Sequence, residues 1–168
     1  VYAGFSDGAF VALETSSGKT IWERSFERAG RFKDADTPPS LSPDGAVLYL
    51  SLVDGDFVAL RSRDGTTLWS VPGAAATAPL IDFEEKAFYF SARDNRLVKY
   101  SLEDTRQLWA LDLGKRGVGS LPVALGKEAV AITTTRAGLV VVDRKTGKLI
   151  FEETFAIGSL SAPAFDGK

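Results

Sequence analysis

Apolar and polar positions alternate with a period of two through most of this chain. Residues 46–52, AVLYLSL, and residues 56–62, DFVALRS, are rich in β-branched, aromatic and aliphatic side chains and flank an Asp-Gly pair. Two such runs around a two-residue turn predict a hairpin. The pairing recurs as KAFYFSA with RLVKYSL, as AVAITTT with GLVVVDR and, at the start, as VYAGF with AFVALET. A third strand is expected after each second turn, ending on an aromatic, and a fourth, shorter one around the prolines of TPPSL, TAPLI, SLPVA and SAPAF. Proline has no N–H to give to a ladder, so these residues belong at an edge or a strand start. No long stretch keeps apolar positions three and four apart, so helix is expected to be nearly absent.

The hairpins are in phase. From the first residue of each tight turn to the following aromatic is 15 positions in all four copies: Asp7 to Trp22, Asp54 to Trp69, Asp94 to Trp109, and Arg136 to Phe151. The aromatics stand 47, 40 and 42 residues apart, a spacing typical of solenoids and propellers. Four short antiparallel strands per unit describe a propeller blade. The expected fold is therefore an all-β propeller of four-stranded antiparallel blades, one domain over 1–168. Its repeats fall at about 1–36, 37–76, 77–119 and 120–159, with 160–168 completing the first blade or starting a fifth.

This fold gives the aromatics a task. One blade cannot cover both faces of its own sheet, so Trp22, Trp69, Trp109 and Phe151 are expected to pack across to the next blade. Gly18, Gly65 and Gly147 would lie in the second turns against them.

Composition narrows the chemistry. Of 168 residues 45% are apolar and 25% charged, with a net charge of −2 spread along the chain. That balance suits a globular protein and offers no basic field for nucleic acid. The longest apolar runs are strand-sized, too short for a spanning helix. The absence of cysteine removes disulfides and thiolate chemistry, and the absence of histidine removes the usual neutral-pH proton shuttle and transition-metal ligand. The chain opens on Val1 with no leader before it, and so reads as processed or excised.

The stretches DGAFVALETSSGKTIW (7–22) and DGDFVALRSRDGTTLW (54–69) carry a resemblance. They are similar to the repeat of the pyrroloquinoline-quinone-type (PQQ-like) propellers, and the likeness extends over all 168 positions. Ala12 and Ala59 hold its small site, where the third copy has Lys99 and the fourth Val141; Thr105 stands where the third turn should have glycine. These departures are expected to weaken the aromatic packing in those copies. The resemblance leaves two arrangements open, a ring closed by four blades or part of a propeller of seven or eight.

Members of this family are either quinone-dependent dehydrogenases or non-catalytic scaffolds and sensors. The dehydrogenases use calcium, an aspartate base and often a vicinal cysteine pair, and this chain shows neither the cysteines nor an acidic cage; Asp54 and Asp56 are better explained as part of a turn. GKRGVG at 114–119 opens no helix and so lacks the dipole a phosphate loop needs. The repeat style most resembles the BamB-type scaffolds of outer-membrane barrel assembly. That resemblance implies a protein partner, no cofactor, no enzymatic activity, and a place on the periplasmic or extracellular side of a bacterial envelope. A quinoprotein fragment and an extracellular sensor propeller of a bacterial kinase are the alternatives.

Partner residues are sought on the links from each aromatic to the next proline, because loops on a rigid scaffold carry recognition. The longest link combines Arg28, Arg31 and Phe32, the composition of a protein-binding hot spot. Lys115 and Arg116 on the third link are the second choice.

Overall fold

The computed structural model describes residues 1–26, 35, 38–52, 56–72, 79–92, 94–117, 119, 123–136, 138–155 and 161–166. Among these, the alternating runs form fifteen strands, and the only helical element is a 3₁₀ turn at Gly114–Arg116. The chain divides into two compact units, Val1–Ala74 and Ala75–Lys168. Unit one holds the first two blades. Blade one is β1 (Tyr2–Gly4), β2 (Ala9–Leu13) and β3 (Thr20–Ser25), and blade two is β4 (Ser40–Leu41), β5 (Val47–Ser51), β6 (Phe57–Arg61) and β7 (Thr67–Val71). Unit two holds the others. Blade three is β8 (Leu80–Asp82), β9 (Ala87–Ser91), β10 (Arg96–Ser101) and β11 (Gln107–Asp112); blade four is β12 (Ala124–Leu125), β13 (Ala129–Thr134), β14 (Gly138–Asp143) and β15 (Leu149–Glu153). Every pairing is antiparallel between neighbours in sequence, the meander of a propeller blade.

Pro39 and Pro79 immediately precede the short strands β4 and β8, where a missing N–H disturbs no ladder. Blade one has three strands among the described residues, not four. The segment 161–166 forms no strand and lies along blade four, with Thr133 Oγ1 donating to the Ser161 carbonyl at 2.6 Å and the Phe165 ring against Gly126.

All four sheets share one irregularity. The register slips by a residue between the last two strands, opposite Ala12/Leu13, Ala59/Leu60, Lys99/Tyr100 and Val141/Val142. The extra residue is Ile21, Leu68, Leu108 or Ile150, and each is exposed. Such a bulge re-aims the next side chain and blunts an outer edge. Directly across the ladder from each small-site residue stands the aromatic: Ala12 with Trp22, Ala59 with Trp69, Lys99 with Trp109, Val141 with Phe151.

Within each unit one tryptophan crosses between blades. Trp22 is 9% exposed, lies in a cluster with Leu48, Leu50, Val58 and Leu60 of blade two, and donates from Nε1 to the Ser62 carbonyl at 2.9 Å. Trp109 is 8% exposed, lies with Val130, Ile132, Val140 and Val142 of blade four, and donates to the Arg144 carbonyl at 3.2 Å. Gly65 and Gly147 receive the two rings with φ of 70° and 69°, and a Cβ built there would come within 2.8 and 2.6 Å of the indole carbons. Trp69 is half-buried against Phe57 and Tyr49 of its own blade, at ring separations of 5.6 and 6.0 Å. Phe151 is 46% exposed.

Gly18 has the same positive φ, 69°, but a Cβ there would meet open space. Gly18→Ala is therefore expected to cost only the left-handed backbone term, about 1–2 kcal/mol. Gly65→Ala adds overpacking against Trp22, about 1–3 kcal/mol more. Urea melts of the two variants check the order, and equal losses would contradict the packing of Trp22 on Gly65.

Candidate interaction surface

In unit two the link after β11 is fastened to both of its hairpins: the Leu113 N–H donates to the Asn95 carbonyl at 2.8 Å, and the Arg136 N–H to the Arg116 carbonyl at 3.1 Å. In unit one the long first link returns at Ala35, which is fully buried and donates its N–H to the Phe5 carbonyl at 3.0 Å. Arg28, Arg31 and Phe32 of that link lie outside the described residues. Lys115 stands exposed on its 3₁₀ turn. Arg116 is half-buried and ion-pairs with Glu152 on β15, so its guanidinium ties the third link to blade four. Of that pair Lys115 offers its charge to solvent, together with exposed Arg136 on the next hairpin.

The opposite face of unit two carries a site that the sequence reading did not single out. A hollow of about 580 Å³ lies between blades three and four, bordered by Asp82, Glu84, Glu85, Lys127, Glu128 and Arg144. Arg144 is buried. Its Nη2 and Nε donate to Asp82 Oδ2 at 2.6 and 3.0 Å, Nη2 reaches Glu84 at 3.4 Å, and Nη1 donates to the Lys127 carbonyl at 3.0 Å. Tyr89 adds its hydroxyl to Asp82 at 3.4 Å. Lys99, buried at the small site, donates to Glu85 and to the Arg144 carbonyl, and its ammonium sits 5.2 Å from the centre of the Tyr89 ring.

Lys99 therefore does not loosen the third copy, contrary to expectation. The amine joins the Trp109 indole on one carbonyl, and Trp109 stays as buried as Trp22. Thr105 also supports the turn, at a φ of 56° that glycine takes elsewhere, with its N–H donating to the Ser101 carbonyl at 3.1 Å. Burial opposes the charge on Arg144, yet hydrogen bonds and charge from Asp82, with Tyr89 and Glu85, hold its pKa above the usual value. Burial pushes the Tyr89 phenol up. With Arg144 and Lys99 both paired to carboxylates, the cluster fastens one blade to the next. Among the described residues no group of three or more His, Cys, Asp and Glu is placed to hold a metal ion.

The turns carry a second electrostatic feature. The Asp44 carboxyl is held below its usual range by the Ser42 hydroxyl and the Ala46 N–H, Asp64 by Thr66, Asp104 by the Ser101 hydroxyl and the Arg106 N–H, and Asp143 by Thr146. Folded values below the unfolded 3.8 mean that this stabilisation is complete above pH 3.8 and is lost as pH falls through the lower folded values. No histidine titrates between. The melting temperature is thus expected to stay level from about pH 7 to 5 and to drop below about pH 4; calorimetry showing a fall already by pH 5.5 would contradict it.

A protein family described as "Outer membrane protein assembly factor BamB" matches residues 1–97 and 93–168. The chain belongs to that family. No curated protein matches the sequence well enough to count as a relative. Among solved structures, BamB from Moraxella catarrhalis is 18% identical over 90% of this chain and 47% of its own, with a TM-score of 0.66. Sqt1 from Saccharomyces cerevisiae is 11% identical over 95% of this chain and 46% of its own, with a TM-score of 0.75. The quinohemoprotein alcohol dehydrogenase ADHIIG from Pseudomonas putida HK5 is 16% identical over 66% of this chain and 19% of its own, at 0.54. At these identities the likeness is one of fold. The BamB-family chain spans about half the length of the first two propellers.

Proposed function

We propose that this chain is a non-enzymatic scaffold that binds a protein partner and supports the assembly of outer-membrane β-barrel proteins. The family match along the whole of residues 1–168 carries this reading. The rigid blades, the exposed Lys115 and Arg136 on the link face, and a sequence without cysteine or histidine are in keeping with it. Its place is the periplasmic side of a bacterial envelope, and no helix among the described residues is long and apolar enough to cross a membrane.

The link face is the recognition surface in this reading, with Arg28, Arg31 and Phe32 on the first link and Lys115 on the third. Arg116 contributes by holding the third link in place. Capture of the barrel-inserting subunit of the assembly machinery by immobilised chain is the test. Wild type is expected to bind. The triple variant Arg28→Ala/Arg31→Ala/Phe32→Ala should weaken capture by about tenfold or more, as loss of a hot spot does, with Lys115→Glu giving a smaller loss. Absence of wild-type binding sinks the proposed role, and undiminished binding by both variants moves the surface elsewhere.

A further inference from the structure

The hairpins β1–β2, β5–β6, β9–β10 and β13–β14 close in one register, with Gly4, Ser51, Ser91 and Thr133 paired to Phe10, Phe57, Leu97 and Leu139. At the same place in each hairpin tip the chain has Asp7, Asp54, Asp94 and then Arg136. One position is thus acidic in three copies and basic in the fourth. Asp7 and Asp94 serve their own turns, with Asp7 Oδ1 accepting from the Ala9 N–H at 2.9 Å and Asp94 Oδ2 from Arg96 Nε at 2.7 Å. A guanidinium accepts nothing, so Arg136 cannot do the same.

The stem of Arg136 lies across the third link instead. Gly117 takes a φ of 84°, and a Cβ built there would come within 3.1 Å of Arg136 Cγ and 2.3 Å of Thr135 Oγ1. A side chain at that glycine would push link and hairpin apart. With the bond from the Arg136 N–H to the Arg116 carbonyl, this contact sets Arg136 beside the turn that carries Lys115. Two nearby carboxylates are already engaged, Asp112 by the Gly114 N–H at 2.7 Å and Glu152 by Arg116. Among the described residues neither Lys115 nor Arg136 has an ion-pair partner, and both are exposed. That exposure belongs to the position. Asp94, at the same tip, has a side chain 56% exposed with blade four in place beside it.

We propose that Lys115 and Arg136 form a fixed docking point for an acidic, extended segment of a protein partner, with one carboxylate of the segment meeting each cation. The assignment rests on the link face as the recognition surface and specifies what that face recognises. Cations carried on a turn and a hairpin that are bonded to each other lose little freedom on binding, which favours a matching pair of carboxylates. An anionic lipid surface fits poorly. Attraction to it takes about four to eight basic residues together, and here exposed Asp94 and Glu153 stand near the same two cations.

Fluorescence anisotropy of a short fluorescein-labelled peptide alternating glutamate with serine, titrated with the 168-residue chain, tests the docking point. The peptide is expected to bind, more weakly as salt is raised, and its glutamine counterpart is not. Arg136→Asp installs the residue of the other three hairpins and so suits the turn. It and Lys115→Glu should each weaken binding about threefold to tenfold, the effect of reversing one exposed charge pair. Lys127→Glu, which reverses an exposed cation on the opposite face, should leave binding unchanged. Capture of the barrel-inserting subunit is a separate measurement: its absence, with the peptide binding as described, removes the assembly role and leaves the docking point standing. No binding of the glutamate peptide, equal binding of the glutamine peptide, a loss with Lys127→Glu as large as with Arg136→Asp, or tighter binding to phosphatidylglycerol vesicles than to the peptide would each overturn the proposal.

Discussion

Trp109→Ala is expected to remove about 3–5 kcal/mol from the stability of unit two. The indole is 8% exposed and sits in one cluster with four aliphatic side chains of the neighbouring blade. Burying a ring of that size withdraws roughly 150–250 Å² from water, and at about 25 cal/mol per Å² that contributes several kcal/mol. Alanine also leaves a cavity beside Gly147, whose backbone has no side chain to fill it. Trp109→Phe isolates the polar part. It keeps most of the ring and loses the Nε1 donor, but the Arg144 carbonyl still accepts from Lys99 at 3.1 Å, so the further loss should be near 1 kcal/mol. Denaturant melts of both variants provide the values; a loss below about 1 kcal/mol for alanine would mean that the blades are not held by this ring.

Arg144→Met should be comparably damaging, about 3–5 kcal/mol, for a different reason. Removing the guanidinium leaves the Asp82 carboxylate buried with, among the described residues, the Tyr89 hydroxyl and the Glu85 N–H as donors and no cation to meet its charge. A buried charge deprived of its partner costs more than the pair ever contributed. Asp82→Leu with Arg144→Met removes both charges, and the double variant is expected to recover most of the loss. Additive losses in that double-mutant cycle would show that the two groups do not act as a pair.

Much of this architecture was legible in the sequence because its determinants are local. Period-two alternation marks the strands and Asp-Gly or Asp-Asn the hairpins. The fixed distance of 15 residues places each aromatic across from its small site, as the pairing of Ala12 with Trp22 and Ala59 with Trp69 bears out. SAPAF has the same local pattern as TAPLI, yet it forms no strand and lies along blade four, because a β pattern becomes a strand only where a neighbouring strand is there to pair with it.

The Arg144 cluster was not foreseen, for the opposite reason. Asp82 and Arg144 are 62 residues apart and join two blades, so neither shows its partner in its own neighbourhood. Arg144 looked like an ordinary member of the turn DRKTGK, and Lys99 like a flaw. A signal was present in the repeat frame. In unit one the Ser62 hydroxyl donates to the Gly45 carbonyl at 2.6 Å, and in unit two the Arg144 guanidinium makes the corresponding bond to Lys127. Only the fourth copy puts an arginine, Arg144, at that position, only the third puts a lysine, Lys99, at the small site, and the acidic run DFEE at 82–85 supplies the carboxylates that pair with both. Sequence offers Lys115 and Arg116 together as candidates for a partner surface, but only coordinates separate them, since the Glu152 that engages Arg116 lies 36 residues further on.

Exchange of the three indole N–H protons, followed by NMR in D₂O, tests most directly whether tryptophans bind blade to blade. Trp22 and Trp109 donate into the adjoining blade at 2.9 and 3.2 Å from buried positions, so both protons should exchange only at rates close to global unfolding. Three indoles exchanging as fast as free tryptophan would contradict the account.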